Sequence, residues 1–371
     1  MIYLDNNAMA SLEPGLLDFL QQLFSQGIYA NPSSVHSAGK KSRKLIHDTT
    51  GLIQRVLSFP GKIIYTSSAT ESLNLAIASL PKGSHVITCS SEHPAIIEPL
   101  KHADLSVSYL DPAQGSCVVS PQQIEAAIRP TTSAIVLGWV NSEIGAKIHI
   151  EAIAQIANER HLQFIVDATA IIGRERMSIP QGVTMVAFSG HKFHALSGIG
   201  ALLISAGVKV APLIWGGGQQ GGVRSGTENL WGIASLFYIF TMLEKQQEEI
   251  TERIAHYRND FEKRLKEHIP EMYIHCEHQP RVNNISAIAF PPLEGEVMQI
   301  ALDIEGISCG YGSACSSGAT TAFKSLVAMN MEQDVAAATL RFSFSHLLAQ
   351  EDLDLAIEKI VKVVTRLKDV W

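Results

Sequence analysis

A few short stretches carry residues that could do chemistry together. "SGHK" ends on an amine, Lys192, preceded by Ser189 and His191. "FIVDA" places a carboxylate, Asp167, directly after apolar residues. "SEHP" sets the imidazole of His93 before a proline, and "NSEIG" presents Asn141 and Glu143. "SSATES" (67–72) opens a helical stretch with small hydroxyl residues. Backbone N–H groups there, those of Ala69 and Thr70 included, could hold a phosphate, with the Thr70 hydroxyl adding a donor. A carboxylate in apolar surroundings needs a cation or several donors. Taken singly, each stretch has an ordinary explanation: a helix cap, a solvated lysine, a capping aspartate. Taken together they form the inventory of a pyridoxal 5'-phosphate (PLP) site. A lysine forms the Schiff base, an aspartate pairs with the pyridinium nitrogen, and hydroxyl and N–H groups cradle the phosphate.

A further group stands apart. "GYGSACSSG" (310–318) holds Cys315 among glycines and serines. Such a run supplies turn chemistry and freedom rather than a packed element. The thiol is therefore held out toward something it must reach, or it sits in a plain surface turn.

Along the chain a rhythm begins at residue 62. Short β-branched runs at 62–67, 85–90, 105–110, 134–141, 164–168, 185–190 and 200–205 alternate with helical segments. Several runs are apolar almost throughout, which suits strands covered on both faces. The alternation predicts a mainly parallel α/β sheet of seven strands. In such a sheet ligands bind at the carboxyl ends of the strands, where the chemical residues fall. Ser120, Pro121 and Gln123 carry the signature of a capped helix start. After Gly232 the pattern turns to a long helical run. A smaller α+β part follows, with strands at 283–290 and 339–345, a helix at 295–306 and a terminal helix, and "MIYLDNNA" reaches back to it. The expected division is a large α/β domain over 16–262 and a small α+β domain over 1–15 and 263–371, the latter bearing the Cys315 loop.

The chain has 371 residues, of which 46% are hydrophobic, enough for a large core. Its net charge of −7 does not favour nucleic acid or an anionic membrane. No apolar run approaches the roughly 20 residues of a membrane span, and no signal peptide is visible. Five cysteines, an odd number with no C-x-x-C, argue against a disulfide framework and for a reducing, cytoplasmic setting. Cys89 and His93 alone do not make a metal site, so no metal is expected.

The motifs "SATESLNLA", "SEHPAI", "VNSEIG", "VDAT", "SGHKFH", "GGGQQGGVRSGTEN", "GSACSS" and "LRFS" stand in order along the chain. In order and spacing they resemble the class V, fold-type I PLP enzymes, and within these the cysteine desulfurases with a Gly-Ser-Ala-Cys loop. The resemblance covers nearly the whole chain. It implies that Lys192 carries the cofactor, Asp167 holds the pyridinium nitrogen protonated and His93 stacks on the ring. Thr70, Ser189 and His191 would bind phosphate, joined by Thr227 from a second subunit, which implies a homodimer. Arg341 would clamp the carboxylate of L-cysteine. Asn31 would border the substrate pocket beside Asn141. Cys315 would take the sulfur as a persulfide, release alanine, and pass the sulfur to an acceptor or iron–sulfur scaffold protein.

Several positions depart from that pattern. Ser142 replaces a usual Asn, and Ala170 replaces a Gln that would donate to the cofactor's phenolic oxygen. Gln220 and Gly221 replace Glu-Arg. Two alternatives therefore stand beside the desulfurase: a related PLP lyase or aminotransferase acting on another amino acid, and a degenerate desulfurase kept as a partner-binding protein.

Overall fold

The computed structural model describes residues 1–312 and 323–369. The chain opens with a short strand, β1 (Ile2–Tyr3). The main sheet then uses β2 (Lys62–Thr66), β3 (His85–Cys89), β4 (Ser106–Leu110), β5 (Thr132–Gly138), β6 (Gln163–Asp167), β7 (Met185–Ser189) and β8 (Gly200–Ile204). These seven strands fall on the seven predicted runs, in the order β2-β8-β7-β6-β5-β3-β4. Only β8 runs against its neighbours, β2 and β7; the other pairings are parallel. Strands β3, β7 and β8 are buried along their whole length. That is why these runs are apolar without alternation.

The chain steps outward from β3 to β4 and returns to β5, which lies on the other side of β3. Ligand crevices form at such reversals, outside the carboxyl ends of the strands. The segments after β2, β3, β5, β6 and β7 therefore converge on one rim.

Local chemistry sets the helix starts. Ser120 and Gln123 form the expected capping box ahead of the helix Pro121–Ala126. Asn229 accepts from the Gly232 N–H at 3.0 Å and opens one unbroken helix, Leu230–His268. This helix joins two layers. Phe240 packs with Phe188 and Phe193 against the main sheet, and Phe261 packs on Phe342 and Phe344.

The second layer contains β9 (Tyr273–Ile274), β10 (Ile285–Ala289), β11 (Ile307–Ser308) and β12 (Thr339–Ser343). Strands β12, β10 and β9 form an antiparallel sheet, while β11 pairs in parallel with β1. The N-terminus thus reaches this layer as expected. The helix Gln350–Lys368 closes the described chain.

One expectation is overturned. The cysteine count argued against disulfides, yet Cys117 and Cys276 are bonded to each other. They lie 159 residues apart, on segments that only the packing of the two layers brings together. Spacing along the chain could not reveal the pair. Cys89 and Cys309 are buried free thiols.

The edge strand β2 also explains a departure. The Gln220 amide accepts from the Tyr65 N–H at 2.6 Å and donates to the Tyr65 carbonyl at 2.8 Å. It completes hydrogen bonds that an edge strand leaves open. A carboxylate cannot donate the second bond, so glutamine fits this position where the usual glutamate would not. Among the described residues no helix is long and apolar enough to cross a membrane.

Candidate active site

A cavity of about 320 Å³ opens at the rim where the strands end, in the size range of small-molecule and cofactor sites. Its wall brings together Thr70, His93, Asn141, Asp167, Ser189, His191, Lys192 and Arg341, all singled out from sequence.

Lys192 closes the single turn Gly190–Lys192 that follows β7. Its Nζ donates to the backbone carbonyls of Asn7 (2.6 Å) and Ala8 (2.9 Å). The "NNA" segment thereby fixes the amine's position. Asp167 ends β6 and accepts from the Thr169 N–H at 2.9 Å. His93 caps the helix Pro94–His102, its Nδ1 accepting from the Ala95 N–H at 3.0 Å. That bond leaves the proton on Nε2. Burial, with the cation of Lys192 assisting, holds His93 below the usual imidazole range, although Asp167 pulls the other way.

At the other end of the cavity, the helix Ala69–Ala78 starts behind its cap, Ser68. The Ala69 N–H donates to Ser189 Oγ at 2.7 Å. Ala69 thus aims Ser189 rather than offering its own free donor. Thr70, the Ser189 hydroxyl proton and His191 remain to face an anion. Burial, then the charge of Lys192, lowers the His191 pKa. Glu71 sits one residue beyond Thr70. Burial alone would raise its carboxyl, but hydrogen bonds from Arg224 and Ser67 outweigh that and hold it below the usual range. The Arg224 Nε–Glu71 Oε1 bond, 2.8 Å long, links the "RSGTEN" segment to the "SATES" helix start.

Arg341 lies on β12. It donates from Nη2 to Asp5 Oδ1 (2.8 Å) and from Nη1 to the Ser142 carbonyl (3.1 Å), while Nε is buried without a partner. A guanidinium held in place on two sides at the cavity wall suits a carboxylate ligand. The Ser142 carbonyl also accepts from Asn7 Nδ2 at 2.7 Å. Residue 142 thus serves through its backbone, and the change from Asn keeps these bonds. Asn141 Oδ1 accepts from the Glu143 and Ile144 N–H groups and shapes the loop.

Two expected residues are not brought to this wall. Asn31 is exposed and its Oδ1 accepts from the Ser33 N–H at 2.9 Å; its side chain turns the loop ahead of the helix Ser37–Val56. Thr227 is also exposed, outside its own chain's cavity wall. Cys315 lies outside the described residues. Among the described residues no group of three or more His, Cys, Asp or Glu side chains gathers as metal ligands.

The wall also contains residues that sequence reasoning missed. Lys324 lines it from the start of the helix Lys324–Ala328. Glu143 Oε2 fastens that helix, accepting from the Ser325 N–H (2.8 Å) and hydroxyl (2.6 Å). Glu92 lines the cavity and is otherwise enclosed by protein. A Cβ on Gly138 would come within 2.9 Å of Glu92 Oε2, so a side chain there would displace the carboxyl from its present position. Burial pushes the Glu92 carboxyl up to about 8, and the negative charge of Asp167 adds to the rise. The backbone N–H groups of Gly138 and His93 oppose it. The signal was adjacency to His93, masked because a glutamate is ordinarily solvated.

A carboxyl pushed up to about 8 favours the protonated form at neutral pH, and Glu92→Gln should preserve the wall. Because the folded value lies above that of the unfolded chain, folding favours the protonated form. This stability is fully present below the ordinary carboxyl value and is lost as pH rises through about 8. In urea denaturation the wild type should lose up to about 1.4 kcal/mol per pH unit across that window relative to Glu92→Gln. Parallel pH profiles for the two proteins would mean that Glu92 is ionised in the fold.

An amine, an acid, an imidazole and a helix start at one strand-end cavity define a class of protein. The chain belongs to the class-V aminotransferase family, whose model matches residues 2–355. Its relatives include the cysteine desulfurase IscS of Dictyoglomus turgidum, 30% identical over 379 residues, spanning 100% of this chain and 96% of that protein. Among solved structures, a NifS-like protein superposes with a TM-score of 0.88 at 26% identity, covering 98% of this chain and 99% of that one. SspA in complex with cysteine superposes with a TM-score of 0.80 at 28% identity, covering 94% of this chain and 100% of that one.

Proposed function

We propose that this protein is a PLP-dependent cysteine desulfurase that converts L-cysteine to L-alanine and leaves the sulfur on Cys315 as a persulfide. The observation that carries the reading is the convergence of Lys192, Asp167 and His93 with the Thr70 helix start on one cavity. The donor set fits PLP, and the desulfurase relatives support it. Bound PLP supplies an aldehyde that captures an amino group and a ring that acts as an electron sink.

This chain's residues do the rest. Lys192 is the amine that holds the cofactor, and Asp167 keeps its ring nitrogen protonated. Thr70, Ser189 and His191 hold its phosphate. Arg341, on the cavity wall, receives the substrate carboxylate. Asn141 shapes the loop beside it. His93, neutral with its proton on Nε2, can move a proton at the cavity. In net terms L-cysteine and the Cys315 thiol give L-alanine and a Cys315 persulfide, so sulfur moves and no outside oxidant is needed.

A second copy of the chain completes the phosphate site through Thr227, making the working form a homodimer. The persulfide then passes to an acceptor protein, such as an iron–sulfur scaffold or a thiolation enzyme. The setting of this reading is the cytoplasm.

Incubation with PLP, L-cysteine and a thiol reductant such as dithiothreitol, which reduces the persulfide, should yield alanine and sulfide. Cys315→Ala should bind PLP yet release no sulfide. Sulfide release by Cys315→Ala at the wild-type rate would overturn the assignment of the nucleophile.

A further inference from the structure

Arg174 is buried, and its guanidinium meets backbone carbonyls where a buried cation usually meets a carboxylate. Nη2 donates to the carbonyls of Asn6 (3.4 Å) and of Lys192, while Nη1 is enclosed without a hydrogen-bond partner. Burial alone acts on its pKa, which falls to about 10, and no carboxylate among the described residues pulls it back. Arg174 is therefore charged at neutral pH and not neutralised by a partner. Its field is felt close by: after burial, it is the largest influence holding His194 down at about 3.

Two cations grip one short turn. Arg174 takes the Asn6 carbonyl, and Lys192 Nζ takes those of Asn7 and Ala8, at 2.6 and 2.9 Å. Successive carbonyl oxygens lie at most about 6 Å apart, so the guanidinium nitrogen and the amine are within about 12 Å of each other. At that separation in a protein, two like charges shift each other's pKa by about one unit. A lysine bonds a carbonyl carbon only as the free amine, and a neighbouring cation is one means of releasing its proton. We propose that Arg174 is a positioning residue that acts by charge: it lowers the proton affinity of the Lys192 amine, so that the amine can capture the cofactor's aldehyde near neutral pH. The C–N bond forms and the aldehyde oxygen leaves as water. The capture rests on the reading of the cavity as a PLP site; the effect on the amine does not. Asp167, Glu143 and Glu92 share the wall and favour the charged amine when ionised, while Arg341 and Lys324 oppose it. His93 and His191, both held low, are neutral in that range. Substitutions at residue 174 leave all of these in place.

The test is the pKa of Lys192 in the full-length, cofactor-free protein, read across pH by competitive labelling with trace acetic anhydride and mass spectrometry. Arg174→Gln keeps an amide donor and removes the charge, and Arg174→Met removes both. Each should raise the Lys192 pKa by about one unit. Neither strands a partner charge, so the fold should survive both. Arg174→Lys, which keeps the charge, should stay close to the wild type. The rate of PLP capture at pH 7, followed by visible absorbance, should fall about tenfold in the two neutral variants and recover at high pH. A Lys192 pKa equal in wild type, Arg174→Gln and Arg174→Met would overturn the proposal. So would an equal rise in Arg174→Lys, which would place the effect in the geometry of the turn. If the wild type captures no PLP while the labelling shift appears, the PLP reading fails and the charge effect on the amine stands.

Discussion

Lys192→Ala should emerge from purification colourless, with no visible absorption band, and should form no alanine from L-cysteine even with excess PLP. The Lys192 amine lies on the cavity wall, fixed by carbonyls at 2.6 and 2.9 Å. Both carbonyls belong to the N-terminal "NNA" segment, which is itself pinned. Asn6 Nδ2 donates to the Ser343 carbonyl at 3.0 Å, and the Asn7 N–H donates to Ser343 Oγ at 2.8 Å. Arg174, itself buried, donates to the Lys192 carbonyl and so fixes the backbone beneath the amine. A reaction that needs a covalent anchor cannot proceed when that anchor is a methyl group. The experiment discriminates sharply because one other lysine lines the described wall, Lys324. Retained colour in Lys192→Ala that disappears in Lys192→Ala/Lys324→Ala would move the anchor to Lys324.

That prediction was accessible from sequence because of how parallel sheets are built. Apolar runs buried on both faces marked the strands. Once they point one way, the polar residues after each strand must share a rim, so Lys192, Asp167 and His93 could be grouped before any geometry was known. What stayed hidden depended on contacts between distant segments. Asp5 and Arg341 pair across 336 residues. Cys117 and Cys276 meet only because the two layers pack. Glu92 was hidden differently: charge type argues for solvent, and only the enclosed setting against Gly138 reverses it. Residue type alone does not separate an Asn that turns its own loop, as the Asn31 side chain does, from one that greets a ligand. Gln220 stood only as a departure from the family pattern until the open edge of β2 accounted for it.

Glu262→Ala should destabilise the fold by roughly 3–5 kcal/mol in chemical denaturation, the cost of stranding a buried partner charge. Glu262 belongs to the Leu230–His268 helix, and its carboxylate takes both arms of Arg281, at 2.7 and 2.9 Å. The two side chains are 5% and 10% exposed, so solvent cannot replace the lost partner. Ser286 on β10 donates to the same carboxylate at 2.7 Å. Nearby, burial and then the charge of Arg281 lower the Arg258 pKa while Glu262 and Glu175 support it; removing Glu262 would leave less to offset the repulsion between the two arginines. The consequence reaches the cavity. Arg281 bridges Ala146, whose carbonyl accepts from the Asn141 N–H at 2.9 Å, and the Val282 N–H donates to Gly145. Glu262 therefore anchors the loop that carries Asn141, Ser142 and Glu143 from behind. Glu262→Met/Arg281→Met, which removes both charges and refills the space, should recover much of the loss, because desolvating an ion pair nearly offsets its attraction. A Glu262→Ala protein within about 1 kcal/mol of the wild type would mean that water reaches Arg281 and that the pair is a surface contact in effect.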